Sequence, residues 1–442
     1  MLFEETPDFR PAKDQMADTR TSRRVVVTGM GVVTSIGHTV PEFWEAMKQG
    51  KCGVGPIERF FQNDPHFLLP NQIENFDLEV TIAAQIRAFD YKARLKHFKR
   101  DKLILFGDRY SLFAAAAAAE AVKQSALEVP FANPYRTACI IGSAEGGIMN
   151  LETAYRHIFE LRQPSTHPLT LVRFIGSSAS AHVGIECGVK GPTFGACSSC
   201  CSGASAIGLG RDYIRNGLVD VAIVGASDSP VTYGTMREWQ ATHLLSREGI
   251  FPFARKRNGT VLAEGAGILV IEAMQHAQAR GAKILAELCG IATTSDGTDM
   301  VDTDMVGASE TMRLALADAQ LAPTDIDYVN AHGTGIASSD RFETEAIKRT
   351  FGTHSPALSV SSTKSMYGHP LGASGGIEAV ACIKAMHEGW VPPTLGLDEA
   401  DPECDLDYTA NVGRSKKLTY AMSNSFGFTG LNAALVFGPP PA

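Results

Sequence analysis

The chain has no apolar run of the roughly 18 residues that a membrane-spanning helix needs. Its opening residues, Met1 to Arg24, are polar and include acids, unlike a signal or transit peptide. A cytoplasmic location with no membrane partner is the expectation. Positive charge is also in short supply: 40 Lys+Arg face 48 Asp+Glu, a formal net charge of -8, which argues against general nucleic-acid binding because that needs a net or clustered positive field. Cysteine is sparse, with 9 residues scattered over 442, and reads as reduced thiols and not as a disulfide framework. What remains is the composition of a globular α/β protein, with 44% hydrophobic and 20% charged residues and 42 glycines, long enough for two to three domain equivalents.

Residues 1–22 lack apolar periodicity and are expected to be a flexible N-terminal extension. Arg23 to Gly31 reads as a buried strand running into a glycine turn, and Pro41 to Lys48 as a helix with proline in its first turn. Ala114 to Ala119 continue into Glu120-Ala-Val-Lys and predict a buried helix that another backbone can approach closely. Further strands are expected at Ala138–Gly142, Val219–Gly225 and Gly267–Glu272. A second series starts near Lys283, with strands at Ile284–Ile291, Ile326–Asn330 and Asn432–Phe437 and helices at Ala308–Gln320, Arg341–Arg349 and Gly375–Glu388. The similar alternation predicts two related α/β halves, 23–275 and 276–442, packed as layers with no mobile linker.

Cys200 lies in Gly191-Pro-Thr-Phe-Gly-Ala-Cys-Ser-Ser-Cys-Cys-Ser-Gly, between a turn-rich approach and a helical stretch reaching about Ile214. At that helix's N-terminus, free amides and the helix dipole are expected to stabilise a thiolate, lower the thiol pKa and offer donors to an oxyanion. A buried structural thiol is the plainer reading of an isolated cysteine. Zinc binding by Cys197-x-x-Cys200 lacks a second ligand pair, and no metal is expected. Two more segments argue for a site: Asn330-Ala-His332-Gly-Thr334-Gly at a strand end, and Ser361-Ser-Thr-Lys364-Ser-Met-Tyr-Gly-His369-Pro-Leu-Gly on a glycine-rich loop.

With these segments, the opening Val-Val-Val-Thr-Gly-Met-Gly and Ser423-Asn-Ser-Phe426-Gly-Phe428-Thr-Gly, the sequence resembles the elongating (type II) β-ketoacyl-acyl-carrier-protein synthases, condensing enzymes of thiolase fold. The resemblance runs from Arg24 to Phe437. Cys404-Asp-Leu-Asp and Ala346-Ile-Lys-Arg are most similar to nodulation-type and type II polyketide ketosynthases. The resemblance implies an α-β-α-β-α layered fold, a dimer with itself or with a related ketosynthase or chain-length subunit, and acyl carrier protein as partner. It implies no cofactor beyond the carrier's phosphopantetheine. Cys200 would take an acyl chain as a thioester, and His332 and His369 would donate to the enolate formed when malonyl-carrier loses carbon dioxide. That role needs neutral imidazoles, which a nearby Lys364 ammonium favours. Lys364 and Glu343 match positions best read as an ion pair supporting the site. The amides of Cys200 and Phe428 would form the oxyanion hole, with Phe428 and Phe426 at the gate and Thr334 on the pantetheine arm.

The sequence departs from the pattern at three places. A second threonine hydroxyl is replaced by Ile336, and three aspartates by Ala254, Lys256 and Asn258. Glu145, in Gly142-Ser-Ala-Glu-Gly-Gly, occupies an acyl-pocket position that is usually apolar or small. A carboxylate there must pair with a cation such as Arg173, or the pocket takes something other than a plain alkyl chain. A basic segment with Lys92, Arg94, Lys96, Lys99, Arg100 and Lys102 stands out in an acidic chain, either as a solvated face or as a docking surface for an acidic carrier.

The expected activity is decarboxylative condensation that lengthens a carrier-bound chain by two carbons, of fatty-acid elongation type. The alternative is a ketosynthase of a specialised polyene, polyketide or nodulation-type pathway working with a chain-length partner. A non-catalytic chain-length subunit and a cysteine hydrolase are the competing classes. Retention of Cys200 with both histidines argues against the first; the second would need a base to activate bulk water, whereas the Lys364/His369 loop fits carrier thioester chemistry better.

Overall fold

The computed structural model of the protein describes residues 23–58, 78–95, 107–298 and 304–441. The expected extension 1–22 and the basic residues Lys96, Lys99, Arg100 and Lys102 lie outside the described residues.

A run of β-branched and small residues, Val25–Thr34, is buried along its whole length and forms strand β1. Thr39 caps helix α1 (Val40–Lys48) by accepting from the Glu42 amide, with proline in the first turn. Helix α2 (Arg109–Ser125) carries the alanine run, all six of which are buried. It lies directly against β1, since a Cβ on Gly29 or Gly31 would stand 2.0 and 1.8 Å from the carbonyl oxygens of Ala121 and Ala117. Only alanine on one side and glycine on the other permit that approach.

The first half continues through β2 (Thr137–Gly142), α3 (Ile148–Phe159), α4 (Thr170–Phe174), α5 (Ser178–Cys187), β3 (Thr193–Ala196), α6 (Ser202–Arg215), β4 (Val221–Asp228), α7 (Tyr233–Ala241) and β5 (Gly265–Ala273). The second runs through β6 (Ala286–Ser295), α8 (Met305–Ala319), β7 (Tyr328–Asn330), α9 (Ala337–Phe351), β8 (Ser359–Ser361), α10 (Lys364–Tyr367), α11 (Ser374–Glu388), β9 (Ala421–Gly427) and β10 (Leu431–Gly438). The expected divide after residue 275 falls inside a short helix, Met274–Ala279, that packs on β1 and β5, so the first half extends through it.

The ten strands lie in the order β8-β7-β9-β10-β6-β1-β5-β4-β2-β3. Each half has the same internal order, third, second, fourth, fifth, first, with the outer three strands parallel and the inner two antiparallel. The halves join through Val26↔Glu287 and Val27↔Ala286. Helices α2 and α5 cover one outer face, α8 and α9 the other, and α6 and α11 pack against each other between the sheets. Glycines make that middle layer thin: a Cβ on Gly203 would stand 2.8 Å from the Gly376 nitrogen, and one on Gly375 2.6 Å from that of Ala204. This is the expected α-β-α-β-α arrangement of a thiolase-like fold. The chemistry-bearing segments follow the carboxyl ends of parallel strands: β3 leads to Cys200, β7 to His332 and β8 to Lys364.

Candidate active site

Cys200 sits in a tight turn between β3 and α6, with Ser199 in the left-handed region at φ 49° and Cys201 at the N-cap of α6. Hydroxyls hold the turn: Ser202 Oγ accepts from the Ser198 amide at 2.9 Å and donates to the Ser199 carbonyl at 2.7 Å. The thiol is therefore placed at the helix N-terminus, as expected. Its pKa is not lowered, however. Burial pushes it up to about 12, and the opposing pull of Lys364 and of the Cys200 and Phe428 backbone amides, both donating to the sulfur, is weaker. The correction has a simple cause: the thiol is almost fully enclosed, and desolvation outweighs the helix terminus. Cys201 points away, its sulfur donating to the carbonyls of Ser425 and Leu431 at 3.1 and 2.9 Å.

Both histidines reach this thiol. His369 Nε2 lies 3.3 Å from Cys200 Sγ, and its Nδ1 lies 3.2 Å from the Ser374 hydroxyl at the start of α11. When Ser374 donates to Nδ1, Nε2 carries the proton and presents it to the cavity. The His332 ring stands edge-on to it, with centroids 5.5 Å apart and planes at 86°. His332 Nδ1 is buried without a hydrogen-bond partner. Burial, followed by the Lys364 charge, holds both imidazoles well below their ordinary pKa, so both are neutral, as the proposed donors must be.

The support beneath the histidines differs from the expectation. Lys364 does not pair with Glu343. Its Nζ forms an ion pair with Glu378 on α11, both side chains wholly buried. Burial raises the Glu378 carboxyl and Lys364 pulls it back. Glu343 instead accepts from the His332 and Gly333 amides, each at 2.8 Å, and from the Asn424 side chain at 3.3 Å. One turn earlier on α9, Asp340 accepts from the amides of Thr334, Gly335 and Phe253 at 3.0, 3.2 and 2.8 Å. The two acids thus clamp the loop that carries His332 by its backbone. Asp340, Ser374 and Glu378 were missed from the sequence. The i,i+3 spacing of Asp340 and Glu343 was the one available signal.

A cavity of about 120 Å³ opens onto these groups, lined among others by Cys200, His332, His369, Phe426, Phe428 and Trp239. Phe428 stands half-buried with its ring 5.5 Å from Trp239, next to Thr429 at φ 70°. Phe426 is buried in the core around Phe253 and Met312 as well as lining the cavity. Thr334 also lines it, and its hydroxyl is buried without a partner, open to a ligand's hydrogen bond. Ile336 stands beside Ser338 and Ser339 at the same wall. In the altered segment, Lys256 pairs with Asp398 at 2.8 Å, Arg255 with Glu399 and Arg257 with Asp401, so the cations hold an acidic loop of the second half.

Glu145 lies where β2 leaves the sheet. Its carboxyl accepts from the Thr235 hydroxyl at 3.1 Å and from the Trp239 indole, both on α7. Arg173, the cation suggested by the sequence, feels the charge of Asp108 instead. Of the expected docking residues, Lys92 is exposed and Arg94 pairs with Glu42 at 3.0 Å. Among the described residues no group of three metal-ligating side chains comes together, and no helix is long and apolar enough to cross a membrane.

Comparison with known proteins agrees with this geometry. The family model for the beta-ketoacyl synthase N-terminal domain matches residues 22–277, and that for the beta-ketoacyl synthase C-terminal domain matches 285–398. Nodulation protein E of Rhizobium sp. (strain N33) is 40% identical over 94% of this chain and 99% of its own. 3-Oxoacyl-[acyl-carrier-protein] synthase 2 of Synechocystis sp. is 36% identical over 94% of this chain and 98% of its own. Among solved structures, the ishigamide ketosynthase/chain length factor superposes with a TM-score of 0.86 at 29% identity, over 95% of this chain and 100% of that one. A type II polyketide synthase acyl-carrier protein in complex with its ketosynthase bound to the hexaketide gives 0.83 at 31% identity, over the same shares.

Proposed function

The chain belongs to the β-ketoacyl synthase family and is an acyltransferase ketosynthase, and on that premise we propose how its own residues divide the reaction. The observation that carries the proposal is the convergence on one sulfur of two backbone amides and a neutral imidazole, with a second neutral imidazole facing the first. In the first half-reaction, Cys200 sulfur attacks the thioester carbonyl of an acyl-carrier. The Cys200 and Phe428 amides hold the oxyanion, the carrier's C–S bond breaks, and the thiol proton leaves on the carrier sulfur. In the second, malonyl-carrier occupies the arm site at Thr334. Its carboxylate leaves as carbon dioxide, and His332 and His369 hold the enolate oxygen through their Nε2 protons. The enolate carbon attacks the acyl-Cys200 carbonyl, and the Cys200 sulfur departs as a thiolate and takes up a proton from water, giving 3-oxoacyl-carrier. No cofactor enters beyond the carrier's phosphopantetheine arm, and the reaction takes place in the cytoplasm.

Acyl carrier protein is the proposed partner in both steps, in line with the carrier-bound structural relative. A second ketosynthase-type subunit, another copy or a chain-length partner, is proposed to pair along β3. This strand is one edge of the sheet, Ile185 on the helix α5 that packs against it is exposed, and so are Tyr155 and Phe159 on α3 and Leu171 on α4.

Incubation with acyl-carrier, followed by intact-mass analysis and peptide mapping, tests the assignment. An acyl adduct at Cys200 that malonyl-carrier converts to 3-oxoacyl-carrier is expected. Release of free acid without condensation would point to a hydrolase, and no adduct at all to a non-catalytic subunit.

A further inference from the structure

The two imidazoles at Cys200 are held in different ways. His332 is fixed through its backbone by Glu343, and its Nδ1 has no hydrogen-bond partner. His369 has a partner for each ring nitrogen, Cys200 Sγ at 3.3 Å from Nε2 and Ser374 Oγ at 3.2 Å from Nδ1. Its backbone has little freedom: the His369 amide donates to the Val261 carbonyl at 2.7 Å, and the His369 carbonyl accepts from the Ala263 amide at 3.0 Å. Ser374 is fixed as firmly. It is the first residue of α11, next to the contact in which a Cβ on Gly375 would stand 2.6 Å from the Ala204 nitrogen of α6. The turn between the two residues is tied down as well, since Asp228 accepts from the Gly372 amide and from those of Ala144 and Glu145. Burial and the Lys364 charge keep the ring neutral, so it carries one proton, and the backbone leaves open only which nitrogen holds it.

The Ser374 hydroxyl closes that choice. Ser374 is wholly buried, and its Oγ meets no other hydrogen-bond partner among the described residues. With the proton on Nδ1, the ring would donate to Oγ, and the Ser374 O–H would be buried with nothing to accept it. With the O–H donating to Nδ1, both groups are satisfied and the ring proton lies on Nε2. We propose that Ser374 is a positioning residue for the condensation: by donating to Nδ1 it keeps the His369 proton on Nε2, so that this histidine acts as a hydrogen-bond donor in both half-reactions and never as the base for the Cys200 thiol. This rests on the acyl-Cys200 reading above and deepens it. The Nε2 proton joins the Cys200 and Phe428 amides, so three N–H donors converge on one sulfur. Such a set favours a sulfur or an oxygen that carries negative charge. In loading, the S–H bond breaks and its proton finds no lone pair on His369, so it passes to the carrier sulfur as the carrier's C–S bond breaks. In the second half-reaction the same Nε2 proton meets the enolate oxygen.

NMR of isotope-labelled histidine nitrogens in the full chain, with the His369 signals assigned by their absence from His369→Ala, reads the ring proton directly. Nδ1 is expected unprotonated and Nε2 protonated in the unmodified protein and in Ser374→Thr, which keeps the hydroxyl. In Ser374→Ala the hold on the proton is gone and the thiol can donate to Nε2, so both nitrogens should give averaged, partly protonated signals. Carbon dioxide release from malonyl-carrier should fall by about tenfold in Ser374→Ala, the factor that one lost hydrogen bond of about 1.4 kcal/mol produces, and return in Ser374→Thr. Loading of Cys200, read by intact mass, should fall far less, because its oxyanion rests on the two amides. A protonated Nδ1 in the unmodified protein would overturn the proposal. So would Ser374→Ala with unchanged ring signals and unchanged carbon dioxide release, or with loading and release lost in equal measure, the mark of a merely structural serine. No loading of Cys200 in the unmodified protein would instead remove the catalytic reading, and the ring signals would still report where the proton sits.

Discussion

Glu378→Gln is the sharpest test of how the site is supported. Lys364 and Glu378 are wholly buried and paired, so the substitution leaves an ammonium facing an amide with no compensating charge. Breaking a buried pair in this way costs roughly 3–5 kcal/mol. At about 2 °C per kcal/mol, the lower figure suited to a large chain, the melting temperature should fall by roughly 6–10 °C. The double variant Lys364→Met/Glu378→Leu removes both charges and keeps similar volume, so it should melt within about 2–4 °C of the unmodified protein. Differential scanning calorimetry measures both. The double variant also separates stability from function. Lys364 lowers the pKa of His332, His369 and Cys200, and burial is the larger influence on all three. Without Lys364 the imidazoles stay neutral at pH 7, but the acid limb of the condensation profile should move to higher pH and loading of Cys200 should slow. A single variant that melts like the unmodified protein, or a double variant that melts as low as the single, would refute the reasoning.

Cys200→Ala should abolish acyl loading, whereas Cys201→Ala should load normally and lose only thermal stability, because its sulfur faces two carbonyls and not the cavity; intact mass distinguishes them. His332→Ala and His369→Ala should each spare loading far more than decarboxylation, measured as carbon dioxide released from malonyl-carrier. Because both imidazoles resist protonation in the fold, the unfolded chain takes up these protons first as pH falls below about 6.5, so stability should decline from that point downward, with a shallower decline in either alanine variant. Reversing exposed Lys92 to Glu should raise the carrier KM several-fold at low salt and progressively less as the screening length shortens toward about 8 Å; no change at low salt would dismiss this residue from docking.

Much of the fold and the reacting groups was legible in the sequence, because both rest on short-range patterns. Alternating strand and helix segments marked two similar halves. The turn-rich approach to Cys200 placed it at a helix start, and the alanine run announced a buried helix that another backbone could approach closely. Short strands such as Ser359–Ser361, and Ala421–Gly427 with its polar centre, lack the apolar run that marks β1, and only their neighbours in the sheet make them strands. What surrounds each side chain was decided by the tertiary structure alone. Lys364 offered no local sign that its partner was Glu378, brought in by the helix after the glycine loop, and not Glu343, which the backbone amides of His332 and Gly333 claim first. The Cys200 helix terminus suggested an acidic thiol, yet the enclosing second half raises its pKa. Glu145 carried a question in the sequence that the fold answers, with Thr235, Trp239 and Asp228 brought from far along the chain. Periodicity and turn chemistry depend on neighbours a few residues away, whereas desolvation and charge pairing sum over every group that folding brings near, and those groups have no fixed distance in sequence.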